Sequence, residues 1–308
     1  MRRSLTPAPL WWGPVLALVV ALSTAAPTLD MMQQPYVTWD EASSAWHESL
    51  WVAGSLVAGL AALFGALVVG RGSSLHPARV RTGLHQLTVP LLGMWAWATV
   101  GLVAGMTPLT WRAWSSATWG GLDGRDVLLA GCGLLLLVST GLVVGVVVDH
   151  WLAGPLAVAI AYVVAALPVV GALRPVALLQ AVQQWPASPR FVLSTPTTVF
   201  TLNAVLLGSV VALAAAAWAL RRDRGSVRLA VASAAGWALL VATAFVWRPD
   251  FYTPRLEARL SCDRAPTAVC LHPSHEGSRG TARQLVDRMA VVAPGLATSG
   301  RRLRLLAP

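Results

Sequence analysis

Seven long apolar runs, at roughly 10–29, 50–70, 88–107, 127–148, 153–173, 199–220 and 228–247, alternate with short polar segments. About 20 apolar residues in a helix cross the roughly 30 Å hydrocarbon core of a bilayer, and each run reaches that length. The pattern predicts an all-α polytopic membrane protein with about seven transmembrane helices in a domain covering residues 1–248. Residues 249–308 differ: Arg, Pro and polar residues dominate, and no stretch there is long enough to span. Within them 256–260 and 267–271 read as two short strands joined by the turn-forming Asp263-Arg264-Ala265-Pro266. Ala282, Leu285, Val286, Met289 and Val292 then recur at helical spacing. The tail is expected to be a small α+β unit, close to the lower size limit for a core of its own.

Charge orients the runs. The segment after the second carries Arg71, Arg79 and Arg81 with no acid, and the one after the sixth carries Arg221, Arg222, Arg224 and Arg228 against Asp223. The first inter-run segment holds Asp30, Asp40, Glu41 and Glu48 and no base. Basic residues stay with the cytoplasmic loops, so the N-terminus is expected inside and, after an odd number of spans, the C-terminal tail outside. The first run also fits a signal peptide, with Arg2 and Arg3 before it and Ser23-Thr24-Ala25-Ala26 after it. Either way the next segment emerges on the outside. Trp11, Trp12, Trp46, Trp51, Trp151 and Trp247 lie at run ends, and Trp111, Trp114 and Trp119 crowd one outer loop, as expected of head-group anchors.

All 23 basic residues are Arg. Without Lys the chain has no Walker A lysine, Schiff-base lysine or lysine general base, so ATP hydrolysis would have to come from another polypeptide. The net charge of +10 sits in membrane-flanking loops and the tail, with no nucleic-acid-binding motif, so anionic lipid is the expected partner and nucleic acid is not. The centres of the runs hold no Asp, Glu, Arg or His, which disfavours an ion-coupled carrier. Asp149-His150, at the inner end of the fourth run, reads as an interfacial turn. Gly141 and Gly145 form a GxxxG, and Ser55, Gly59, Ala62 and Gly65 form a similar stripe; both mark helix packing, within one chain or between two. Pro168 is expected to kink the fifth run.

Cys132 sits in an apolar run, whereas Cys262 and Cys270 flank the turn of the tail. In an oxidising compartment that pair is expected to form a disulfide. His272, His275 and Glu276 are the one cluster of metal-competent side chains in the tail, but their spacing and Pro273 favour a polar loop. No metal or other cofactor is expected. No Ser/His/Asp set, paired intramembrane carboxylates or HExxH appears, so no enzymatic activity is expected.

Three features carry a family resemblance: Arg248-Pro-Asp-Phe-Tyr-Thr-Pro, the run from Cys262 through Val269-Cys270-Leu271-His272-Pro, and an Arg-rich loop after the second span. With them the chain resembles type-2 ABC transporter permease-like membrane proteins of GC-rich Gram-positive bacteria. The resemblance implies a bacterial cell-membrane location, a homo- or heterodimer and a separate ATPase subunit. By position its coupling helix would be 77–86, with Pro77, Arg79, Arg81 and His85. Permeases of this type have six spans and both termini inside, while this chain reads as seven with the tail outside. The expected function is the membrane-spanning subunit of an ABC-type exporter. The alternative is a non-transporting membrane protein that displays its tail as an extracytoplasmic sensor or interaction module.

Overall fold

The computed structural model describes residues 12–34, 36–69, 83–167, 179, 191–193, 195–221, 224–247, 252–254, 261–263, 269–271 and 273–292. Among these, six helical stretches are long and apolar enough to cross a membrane: Trp12–Met32, Trp39–Leu67, Leu87–Ser116, Gly124–Val148, Thr195–Ala219 and Val227–Val246. Their number and apolarity mark a membrane protein. The fifth run is the exception. It is helical over Ala153–Ala166, about 21 Å at 1.5 Å per residue, and its continuation, Pro168 included, lies outside the described residues. Six described helices therefore meet the length requirement where seven were expected.

The helices are α1 (Trp12–Met32), α2 (Trp39–Glu48), α3 (Leu50–Phe64), α4 (Gly83–Ser116), α5 (Gly124–Val148), α6 (Ala153–Ala166), α7 (Thr195–Arg221), α8 (Arg224–Trp247) and α9 (Arg279–Val292). A π-helical turn, Gly65–Val69, extends α3. The helix α2 was not anticipated, because its polar residues read as loop. It starts with a reciprocal cap: the Glu41 amide donates to Thr38 Oγ1 (3.3 Å), and the Thr38 amide donates to Glu41 Oε2 (2.8 Å). At the other extreme α4 outruns its apolar run, so Trp111 and Trp114 belong to its last turns and not to a loop. Past the first turn, Pro27 in α1 and Pro90 and Pro108 in α4 each remove one backbone hydrogen bond.

Glycine positions fix the helix directions. Gly101 and Gly105 of α4 pack against Ala17 and Ala21 of α1, so α1 and α4 run parallel. Gly141 and Gly145 pack against Ala58 and Ala62, so α3 and α5 run parallel the other way. The GxxxG contact is therefore made inside one chain. Gly59 faces Val158 and the Gly154 carbonyl, and Trp51 stacks on Tyr162 with centroids 5.5 Å apart, so α6 returns antiparallel along α3. Gly65 rests on the Leu142 carbonyl. Leu129 clusters with Val205, and Val146 with Ala216 and Ala217, so α7 follows α5 in parallel. Gly208 meets Trp237 and, a turn earlier in α7, Ala204 clusters with Ala244 further along α8, so α8 runs back along α7. Asp149, left-handed at φ 49°, makes the tight reversal between α5 and α6, a conformation Asp tolerates better than most residues.

The main core joins Leu16 and Val20 of α1, Leu50 of α3, Leu102, Met106 and Leu109 of α4, and Leu134 and Leu142 of α5. Hydroxyls inside it bond to their own helix: Thr24 Oγ1 donates to the Val20 carbonyl at 2.8 Å, Ser139 Oγ to Leu135 at 2.7 Å and Ser209 Oγ to Val205 at 2.9 Å. That removes the cost of an unpaired polar group in an apolar interior. Between helices, Trp95 Nε1 donates to the Gly131 carbonyl at 2.8 Å.

Two small ribbons complete the fold. β1 (Phe191–Leu193) pairs antiparallel with β2 (Tyr252–Pro254), tying the start of α7 to the chain leaving α8. β3 (Ser261–Cys262) pairs antiparallel with β4 (Cys270–Leu271), with Cys262 opposite Cys270. The strand expected at 256–260 lies outside the described residues, while the pairing at 270–271 falls inside the second expected strand.

Candidate functional site on the tail-bearing face

The α1–α2 connection, α2, the end of α4 and the α4–α5 loop build one face of the bundle. Ser116 fastens the α1–α2 connection to α4: its Oγ accepts from the Val37 amide at 3.1 Å and shares its proton between the Arg112 carbonyl at 2.9 Å and the Val37 carbonyl at 3.2 Å. Ser43 Oγ of α2 accepts from the Asp123 amide at 3.0 Å. Asp123 in turn caps α5, its carboxylate accepting from the Arg125 amide at 2.9 Å. Beneath these bonds His47 Nε2 lies 2.9 Å from Asp126 Oδ1, and His47 is only 2% exposed. Losing Asp126 should cost stability, because the buried His47 ring then lacks this bond. Trp39 meets Trp114 edge to face with centroids 6.1 Å apart.

The tryptophans divide into two groups. Trp46 is 5% exposed and lies in the main core, so its role is packing and not the head-group anchoring expected of it. Trp111 and Trp114 are 73% and 75% exposed, as anchors at a membrane surface should be.

The tail rests on this face. Thr118 Oγ1, in the α4–α5 loop, donates to the Pro273 carbonyl at 2.7 Å. Gly277 packs against Tyr36, where a Cβ would stand 3.6 Å from that of Tyr36. The 3-10 helix Pro273–Ser278 makes both contacts and runs directly into α9. Cys262 and Cys270 are bonded through their sulfurs, with Cα atoms 4.0 Å apart. Val269, Leu271 and Val286 form the tail's own core, backed by Ala282.

Two arginines of α9 fasten it to the hairpin, Arg279 through Ser261 and Arg283 through Asp263. Arg279 grips both Glu276 oxygens, Nε to Oε1 at 2.6 Å and Nη2 to Oε2 at 2.7 Å, and also donates to the Ser261 carbonyl at 3.0 Å. Those bonds hold the Glu276 carboxyl below the usual glutamate range. Arg283 pairs with Asp263. One side of α9 is thereby covered, while Leu285 (48% exposed), Met289 and Val291 stay open.

The remaining sequence-derived candidates fall elsewhere. Pro77, Arg79 and Arg81 lie outside the described residues, as does His272, and His85 falls in the first turn of α4. Gly59, Gly65, Gly141 and Gly145 lie at helix–helix contacts. Among the described residues no group of three His, Cys, Asp or Glu is placed to hold a metal ion. The His47–Asp126 pair escaped the sequence reading because its members lie 79 residues apart. Compared with family models, curated proteins and solved structures, the chain matches none.

Proposed function

We propose that the protein is an integral membrane scaffold that crosses the bilayer seven times and holds its disulfide-stapled tail outside as an interaction or sensing surface. The carrying observation is the seat of the tail: Thr118 and Tyr36 of the bundle receive Pro273 and Gly277. A tether alone would leave a translocated tail free; a bonded seat presents it in one orientation. Seven crossings are supported by the parallel course of α5 and α7, since residues 149–194 have to return the chain to the face where α5 began. The Arg asymmetry supports placing the tail-bearing face outside. The exposed Leu285 and Met289, one turn apart on α9, are then the surface offered to a partner.

A second reading, the membrane subunit of an ABC-type exporter, draws support from the π-helical turn Gly65–Val69, which precedes the Arg-rich segment 71–87. Helical irregularities of this kind are frequent at functional positions. That reading calls for a separate ATPase docked on 77–86 and a second membrane subunit.

One experiment separates the two. A photo-reactive amino acid is placed at Leu285 or at Arg79 and irradiated in intact cells; lysine-directed reagents have no side chain to attack here. The display reading expects a discrete adduct from Leu285 and none from Arg79. An adduct between Arg79 and an ATPase, abolished by Arg81→Glu while insertion is preserved, with none from Leu285, would contradict it and establish the exporter.

A further inference from the structure

The helices α5 and α6 diverge as they leave the Asp149 turn. α6 packs along α3 and only lightly on α5, so a crevice opens between α5 and α6 with α3 as its floor. Its volume is about 140 Å³. Ala58 and Gly141 form the bottom, Leu137 one wall, and Ala157, Ala161 and Val164 the other. The rim faces away from the bundle, where Ile160 and Val164 are exposed.

The lining offers almost nothing polar. Its one hydroxyl, Thr140 Oγ1, is committed to the Leu136 carbonyl at 2.9 Å and the Leu137 carbonyl at 3.1 Å. A head group or a polar solute would find no partner there, and water would be poorly held. Apolar cavities of about 150 Å³ take up benzene or xenon and stay dry otherwise. The crevice also lies along the central turns of α5, at the height where a spanning helix meets hydrocarbon. Within lipid, apolar surfaces gain nothing from hiding from water; the gain comes from close contact, so shape decides what binds. An unfilled crevice forfeits that contact, and a flexible chain of methylenes restores it.

We propose that the α5–α6 crevice is an acyl-chain site, seating a short stretch of one hydrocarbon chain of a bilayer lipid between Leu137 and Ala161. The inference is independent of the role assigned to the tail. A helix from a second copy is the rival occupant. Its usual docking motif, the Gly141–Gly145 pair, is already occupied by Ala58 and Ala62 of the same chain.

The full-length protein is reconstituted in bilayers containing phosphatidylcholine with a mid-chain diazirine, irradiated, and its adducts located by peptide mass spectrometry. Adducts at the crevice should exceed those at Leu239, which is more exposed and lies near the middle of α8, by several-fold. Ala161→Phe, which fills the crevice, should lower the crevice adducts several-fold and leave those on α8 unchanged. Ala161→Val, a smaller intrusion, should give a partial loss and keeps the test intact if the Phe variant does not fold. Even labelling of all lipid-facing helices, or crevice labelling unaffected by both variants, would overturn the proposal. Adducts between copies at Ile160, appearing in place of lipid adducts, would overturn it in favour of a dimer.

Discussion

Gly145→Ala should lower the thermal midpoint of the purified protein by about 4–8 °C, and Gly141→Ala by a similar amount, corresponding to roughly 2–3 kcal/mol each. A methyl on Gly145 would overlap the Ala62 carbonyl oxygen, and one on Gly141 the Ala58 carbonyl oxygen. Neither obstacle is a flexible side chain; both are backbone atoms of α3. The only relief is separation of α3 from α5, and that separation also loosens the contact of Gly65, just beyond α3, with Leu142. Gly93→Ala supplies the control, because nothing lies within 4 Å of its Cβ position. There the gain in helix propensity should hold or slightly raise the midpoint. Equal effects at Gly145 and Gly93 would mean that the α3–α5 seam does not hold the bundle together.

The joint substitution Cys262→Ser, Cys270→Ser should loosen the tail and leave the bundle intact. On the loop-entropy account, closing so short a loop contributes about 2.5 kcal/mol. The tail has little else: a core of Val269, Leu271, Val286 and Ala282, and ion pairs that are partly solvated and so individually weak. Arg279 is tied to the Ser261 carbonyl, and Arg283 to Asp263, only while the hairpin persists. Cleavage at those two residues by an Arg-specific protease should therefore accelerate by about 50-fold, with the midpoint of the membrane domain unchanged. Unchanged cleavage would show that the seat on Thr118 and Tyr36 suffices without the staple.

The readable parts of this fold were those written in long apolar runs, since the length needed to cross hydrocarbon leaves few alternatives. The helix α9 was legible from Leu285, Val286 and Met289, and the Cys262–Cys270 bond from two cysteines flanking a turn. What stayed hidden depends on pairs far apart in the chain. His47 and Asp126 meet across 79 residues, and Thr118 and Pro273 across 155. Periodicity carries no trace of such partners. The helix α2 was different, because Thr38 and Glu41 spelled a capping box before it, and the four acids of that segment drew the reading toward a loop instead. Trp46 misled for a related reason: a tryptophan at a run end signals an interface, yet a cap that folds α2 down over α4 and α5 takes that side chain into the core.

The central claim is that an odd number of crossings puts the seated tail outside. Labelling of single cysteines with a membrane-impermeant maleimide in intact cells tests it most directly. Ser274→Cys and Ser73→Cys are introduced separately into a chain lacking the three native cysteines. Position 274 should label in intact cells, and position 73 only after permeabilisation. Labelling at 73 with protection at 274 would contradict the orientation and the display of the tail, and the same response at both positions would contradict the odd number of crossings.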